Sequence, residues 1–239
     1  ELALDRNGNL SAVAFARFHR SDRWQTVLSL RVLSPAYVAP YARIGQDGNR
    51  AQNEIGISGA MCYAGFRNSQ IRGFIDAFRH PRPTFRAAAP SLGWAAGLEW
   101  EHRRGAWGQL LRYRVKSKQQ TIAGFAPHLE FCTTHRLRAR WSYEHLRWSW
   151  QASLDATAFH RQTRPQPRWG VMASFRSKVA ISSIWQAAFF GAAFSAPDFS
   201  ARLFAYEPQL RGRGAFPAFY GRGFAGVLLL QCKPSRHWI

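Results

Sequence analysis

From Arg136 to Phe159 polar and apolar side chains alternate without a slip on either side of one short turn, and few folds accommodate that pattern. Leu137, Ala139, Trp141 and Tyr143 take one phase, and Arg136, Arg138, Arg140, Ser142 and Glu144 take the other. After the turn, Trp148, Trp150, Ala152, Leu154, Ala156 and Ala158 oppose Arg147, Ser149, Gln151, Ser153, Asp155 and Thr157. Successive side chains of a strand project to opposite faces, whereas a helix would scramble a period of two. The stretch therefore reads as an antiparallel hairpin with one apolar and one strongly polar face.

What the apolar face touches decides the class. Against a second sheet in a soluble sandwich, that face would be mostly branched aliphatics. Here it carries Trp, Tyr and many Ala, and the opposite face carries arginines with an acid. Lipid outside, a polar lumen inside and aromatics at the headgroups account for this composition. The expected fold is an all-β, antiparallel up-and-down transmembrane β-barrel, with a soluble antiparallel barrel or sandwich as the alternative. In the barrel, Trp141, Tyr143, Trp148, Trp150 and Leu154 face outward and Arg138, Arg140 and Gln151 inward, so a new charge is expected to be tolerated at Gln151 but not at Leu154.

The rest of the chain repeats the signal. Strands are expected over 10–20, 24–33, 53–66, 71–79, 94–102, 109–118, 129–144, 147–159, 168–176, 179–190, 201–206 and 219–233. Turn residues punctuate them, among them Asn7-Gly8, Arg103 to Gly105 and Ser177-Lys178, with loops over 34–52, 87–93 and 161–167. About twelve strands at this spacing make a meander. Nothing marks a domain boundary, so residues 1–239 read as one barrel domain. The longest apolar run, around Ala187 to Phe194, is about half of what a membrane helix needs. A spanning chain without such helices has only a closed barrel left, because lipid cannot satisfy open sheet edges.

Charge sets the expected partners. The chain carries 33 Lys and Arg against 13 Asp and Glu, a formal net charge of +20, nearly all of it from arginine. That balance favours polyanions: lipopolysaccharide phosphates, an acidic envelope protein or nucleic acid. Cys62, Cys132 and Cys232 are odd in number and far apart, so at most one disulfide is expected. No His, Cys or acid spacing suggests a metal site, no glycine loop suggests a phosphate-bearing cofactor, and neither is expected. No local pattern singles out a catalytic triad, although a barrel can place one on separate strands; the expectation is a chain that is not an enzyme.

Several short passages carry a resemblance. They are Asn53-Glu54-Ile55-Gly56, the run Phe74-Ile75-Asp76-Ala77-Phe78-Arg79-His80-Pro81, Ala89-Pro90-Ser91-Leu92-Gly93, and Asp198 to Glu207 followed by Phe216 to Gly223. In this order and spacing the chain resembles the C-terminal barrel of the helix-hairpin-helix outer-membrane proteins of Bacteroidetes, relatives of the ComEA competence proteins. The resemblance implies a bacterial outer-membrane location. It assigns a structural role to Asp76, Arg79, Pro81, Tyr206, Glu207, Tyr220, Gly221, Arg222 and Gly223. The helix-hairpin-helix repeats that give that family its DNA-binding label are absent from these 239 residues, and Trp238-Ile239 looks like a strand cut short, as in part of a larger barrel.

Two candidate features follow. Arg112, Arg114, Lys116, Arg136, Arg138 and Arg140 lie on polar phases of strands near in sequence and would concentrate anions on a lumen wall, unless Glu99, Glu101, Glu144 and Asp155 pair with them. Tyr206, Glu207 and the Tyr220-Gly221-Arg222-Gly223 motif either line a barrel mouth or, as the plainer alternative, relieve crowding at a bend, with Glu207 pairing with Arg222. The leading functional expectation is an outer-membrane barrel that serves as a subunit or accessory of an envelope assembly. Its expected surroundings are outer-membrane lipid, lipopolysaccharide and other envelope proteins. A DNA-binding or DNA-uptake component and an anion-selective pore are the alternatives.

Overall fold

The computed structural model describes residues 1–37, 45–47, 50–123, 128–208 and 217–232. Phe216, Lys233, Trp238 and Ile239, which the sequence reading places in the family motif and at the last strand's end, lie outside these residues. The strands are β1 Leu2–Leu4, β2 Leu10–Ser21, β3 Trp24–Leu33, β4 Glu54–Phe66, β5 Ser69–His80, β6 Ser91–Arg104 and β7 Trp107–Ile122. After them come β8 His128–Glu144, β9 Trp148–Arg161, β10 Arg168–Ala180, β11 Trp185–Ala196, the short β12 Leu203–Phe204 and β13 Ala218–Phe219, and β14 Gly221–Cys232. Twelve of them form a single sheet in the order β1 to β11 and then β14, each beside its sequence neighbour, as an up-and-down meander requires. The chain forms two compact units: Glu1–Glu99 with Arg114–Thr134 and His160–Gln166, and Trp100–Tyr113 with His135–Phe159 and Pro167–Ile239.

Strand ends move by a few residues, β1 is additional to the sequence reading, the expected strand 219–233 is divided between β13 and β14, and three further differences have a visible cause. The turn expected at Ser177-Lys178 lies instead at 181–184, because Lys178 continues the polar phase of β10, paired with Ala188. Ser182 makes the actual turn, its Oγ accepting the N–H groups of Ile184 and Trp185 at 3.2 and 3.0 Å. Ser91 to Gly93, expected in a loop, open β6. The expected strand 201–206 is a 3₁₀ turn over Phe199–Ala201 followed by the two-residue β12. Asp198 caps that turn, accepting from the Ser200 backbone N–H at 2.8 Å.

Burial is inverted relative to a water-soluble protein. Arg31, Glu54, Glu99, Glu130, Ser117, Ser153 and Thr157 are buried, while Leu28, Leu30, Ile57, Ile75, Leu98, Leu154, Val171, Leu228 and Leu230 are exposed. Charged residues are almost never buried without a reason, and apolar exposure on this scale marks a surface made for something other than water. The two classes alternate along each strand. In β9 Ser153 is buried and Leu154 is 53% exposed; in β14 Phe224, Leu228 and Leu230 project from one face and Val227 from the other. Aromatic clusters sit beside the short turns, Trp24 with Tyr63 and Phe66 in the first unit and Trp107 with Tyr143 and Trp150 in the second. Short turns at one set of strand ends, longer connections at the other, aromatic girdles and an outward apolar band are the marks of an outer-membrane β-barrel. Among the described residues no helix is long and apolar enough to cross a membrane.

Candidate functional site

In the first unit the polar face of β3 to β5 is organised by Arg31. Its Nε donates to Glu54 Oε1 at 2.6 Å, and its Nη1 and Nη2 donate to Asp76 Oδ1 and Oδ2 at 2.8 and 3.1 Å. Arg31 and Glu54 are 1% and 0% exposed. Gly56 faces Arg31 in the strand register, and a Cβ there would lie 2.5 Å from the guanidinium carbon, so a glycine leaves the room this group occupies. Asn53, at φ 56, ties the strand to the next connection through its side chain, which donates to Arg82 O and accepts from Arg82 N at 2.9 Å. The Asn53 to Gly56 and Asp76 motifs thus share one physical job. Arg79 stands on the opposite, exposed face of β5, paired with Ile55.

Asp47 reaches the same polar face from the connection between β3 and β4. Its carboxylate pairs with Lys116, with Lys118 at 3.0 Å and with His80 Nε2 at 3.6 Å, and its backbone N–H donates to Glu54 Oε2 at 2.9 Å. Burial opposes the Asp47 charge, but the hydrogen bonds from His80 and Lys116 and the attraction of both lysines outweigh it and hold the carboxyl well below the ordinary carboxylate range. The sign follows from linkage: a folded-state pKa below the unfolded value of about 3.9 stabilises the fold above that pH, and the gain is lost as pH falls through the lowered pKa. Asp47→Asn is therefore expected to cost roughly 1.5–3 kcal/mol at neutral pH, the scale of hydrogen bonds to charged groups. Denaturant midpoints of the two proteins should converge as the pH drops below about 4; midpoints separated by the same interval at every pH would show that the Asp47 charge is not what holds the loop.

The six cations expected on one wall do not form one site. Arg114 and Lys116 belong to the first unit, where Arg114 lies 5.7 Å from the Phe74 ring and Lys116 is occupied by Asp47. Arg112, Arg136, Arg138 and Arg140 belong to the second unit. There Arg138 donates to Asp155 Oδ1 at 2.5 Å and to the Phe204 carbonyl at 3.1 Å, and Arg136 lies 5.6 Å from the Phe204 ring. Arg176 stacks on the Tyr206 ring at 5.3 Å and donates to Gln151 Oε1 at 2.8 Å. These arginines grip the segment before β13, whose Leu203 and Ala205, with Phe219, bury against Met172, Phe190, Ala192 and Ala196. The inner face of β10 and β11 is apolar at this end because it is covered by the chain itself.

The resemblance motifs of this unit are explained by the same packing. Phe219 packs against Phe190 and Phe194, Tyr220 meets Phe199 edge-on at 5.3 Å, and Gly221 takes φ +81, a conformation that favours glycine. The expected Glu207 to Arg222 pair is not seen among the described residues. Arg222 shares the exposed face of Phe224, because both have the same phase on β14. Cys62, Cys132 and Cys232 are all free thiols.

Arg140 lacks an ion-pair partner among the described residues, and its Nε is buried without a hydrogen bond. Arg138, Arg112 and Arg176 are its cationic neighbours, and the nearby acid, Asp155, already serves Arg138. Arg140 lines a cavity of about 510 Å³ with Arg103, Arg176, Lys178, Glu101, Glu144, Gln151, Gln186, Gln231 and Tyr206. Four cations against two acids leave this wall positive. Arg103, Arg176, Lys178, Gln186 and Gln231 are missing from the candidate residues singled out in the sequence. Phase signals Arg103, Arg176 and Lys178, which continue the polar alternation of β6 and β10, whereas Gln186 and Gln231 end inward phases that are otherwise apolar and carry no such signal.

No family model and no curated protein matches the chain. Among solved structures it is similar to OmpT, an outer membrane protein of Vibrio cholerae, with a TM-score of 0.56 and 8% identity over 94% of this chain. The chain spans 64% of the length of that protein. A NanC porin structure aligns over 94% of this chain and 93% of its own, at 10% identity and a TM-score of 0.39. At these identities the likeness to OmpT is one of fold, and it is the outer-membrane barrel fold expected from the alternation.

The barrel fold shared with OmpT corrects the ground for the expectation that the chain is not an enzyme. That expectation rested on the lack of a local catalytic pattern, and in a barrel sheet functional groups meet across strands instead. Asp47 meets Lys118, 71 positions away, so the missing local pattern is no argument against catalysis.

Proposed function

We propose that this chain is an outer-membrane β-barrel protein whose polar face binds anionic solutes in the cavity around Arg140. The observation that carries the reading is the buried Arg140 Nε without a partner, beside three other arginines and one acid that is already engaged. An unpaired guanidinium removed from water is costly, and an anion presenting oxygens to its planar donors would repay that cost. The expected surroundings, lipid, lipopolysaccharide and other envelope proteins, belong to this proposal, as does the kinship with the helix-hairpin-helix barrels. An accessory role in an envelope assembly is compatible with it.

The test is a titration of the detergent-solubilised protein with acetate and inorganic phosphate by calorimetry. Arg140→Gln, which keeps a polar side chain and removes the charge, is expected to weaken binding at least tenfold. Unchanged affinity in the variant, or no binding by the parent, would overturn the reading. Retention of duplex DNA at low salt that falls steeply as salt is added would favour the nucleic-acid alternative suggested by the +20 charge.

A further inference from the structure

We infer that the ligand of this cavity is an acidic sugar, a polyhydroxylated ring carrying one carboxylate. The inference rests on the anion-binding reading of Arg140 and adds to it what the neutral lining does. Gln186 and Gln231 face each other directly in the β11 to β14 register, on the cavity side of both strands. Among the described residues neither amide has a hydrogen-bond partner, unlike Gln151, which is held by Arg176 and Ser153. An amide offers donors and an acceptor together, and so does a sugar hydroxyl. A bare inorganic anion can use only the donors and leaves the amide oxygens unanswered.

The charges of the wall point the same way. Arg103 and Lys178 have no ion-pair partner among the described residues, so with Arg140 they leave cations for a carboxylate. Glu144, on the same wall, repels a densely charged polyanion but accepts readily from a hydroxyl. A ligand with one negative charge and several hydroxyls satisfies both signs at once. A volume of about 510 Å³ holds one or two sugar rings.

Calorimetric titration with glucuronate, acetate and glucose, each used alone on the detergent-solubilised protein, tests the inference. Glucuronate is expected to bind at least tenfold more tightly than either of the others, because a site built to hydrogen-bond hydroxyls discriminates against ligands that lack them. Gln186→Leu with Gln231→Leu is expected to remove most of that advantage while acetate affinity stays within twofold. Arg140→Gln should weaken glucuronate and acetate alike. Equal affinity for glucuronate and acetate would overturn the sugar inference and leave the anion reading standing. Failure of all three to bind would overturn both, and glucose binding as tightly as glucuronate would overturn the role of charge. The three-ligand comparison on the unaltered protein decides the matter even if the double variant does not assemble.

Discussion

Arg31→Ala is expected to be the most damaging single change in the first unit, lowering stability by about 3–5 kcal/mol, the cost of breaking a buried ion pair by removing one partner. The reason lies in what remains. Glu54 is fully buried, and losing the guanidinium strips its Oε1 of its donor and leaves Asp76 with two unanswered oxygens. Two adjacent carboxylates without a cation repel each other. A triple change to apolar residues of similar total volume, Arg31→Met with Glu54→Leu and Asp76→Ala, is expected to recover much of the loss, because a packed apolar cluster avoids the desolvation of all three charges. Urea unfolding of the detergent-refolded proteins, followed by tryptophan fluorescence, measures the difference. A loss below about 1 kcal/mol in Arg31→Ala would mean that water reaches the carboxylates and that the triad is not dry.

The sequence makes some of this legible and hides the rest for identifiable reasons. Residues 136–159 can be read directly because both strands keep phase for their full length, and β8 and β9 run over His128–Glu144 and Trp148–Arg161. Phase fails as a guide where small residues replace it. Ser91 and Gly93 look like loop residues after Pro90, yet both are buried in β6, and a Cβ on Gly93 would lie 2.5 Å from the Phe78 ring. Gly93 is small because Phe78 fills its space, which only the cross-strand contact reveals.

The candidate sites were less legible because their members meet across the sheet. Arg31 finds partners 23 and 45 positions away, and Arg176 finds Gln151 across 25. Nearness in sequence groups six cations into one ladder, but a meander assigns neighbours by strand pairing and divides them among different tasks. Lys116 holds a loop carboxylate, Arg136 and Arg138 hold the segment at Phe204, and Arg140 Nε is buried without a partner among the described residues. The motif residues fared differently. Asp76, Tyr206, Tyr220 and Gly221 each have a packing or pairing role, so their pattern records how the wall and its inner segment hold together.

Leu154→Arg is expected to impair assembly in lipid, whereas a charge placed on the neighbouring phase of the same strand is expected to be tolerated. Leu154 sits near the middle of β9, opposite Ala173 of β10, with its side chain exposed on the apolar face. An arginine at a lipid-facing mid-membrane position costs roughly 2–4 kcal/mol, a large share of a typical folding free energy. The structure also changes the choice of control. Gln151→Arg would remove the acceptor of Arg176 and add a fourth cation beside Arg138, Arg140 and Arg176, so it carries a cost of its own. Gln151→Glu is the cleaner comparison, since it places a carboxylate where Arg176 already donates. The assay is the fraction of protein that reaches the heat-modifiable form on refolding into lipid vesicles. Leu154→Arg should lose most of that fraction and Gln151→Glu little or none. Equal yields at the two positions would show that the exposed face of β9 meets something other than lipid, and would return the soluble-sandwich alternative to consideration.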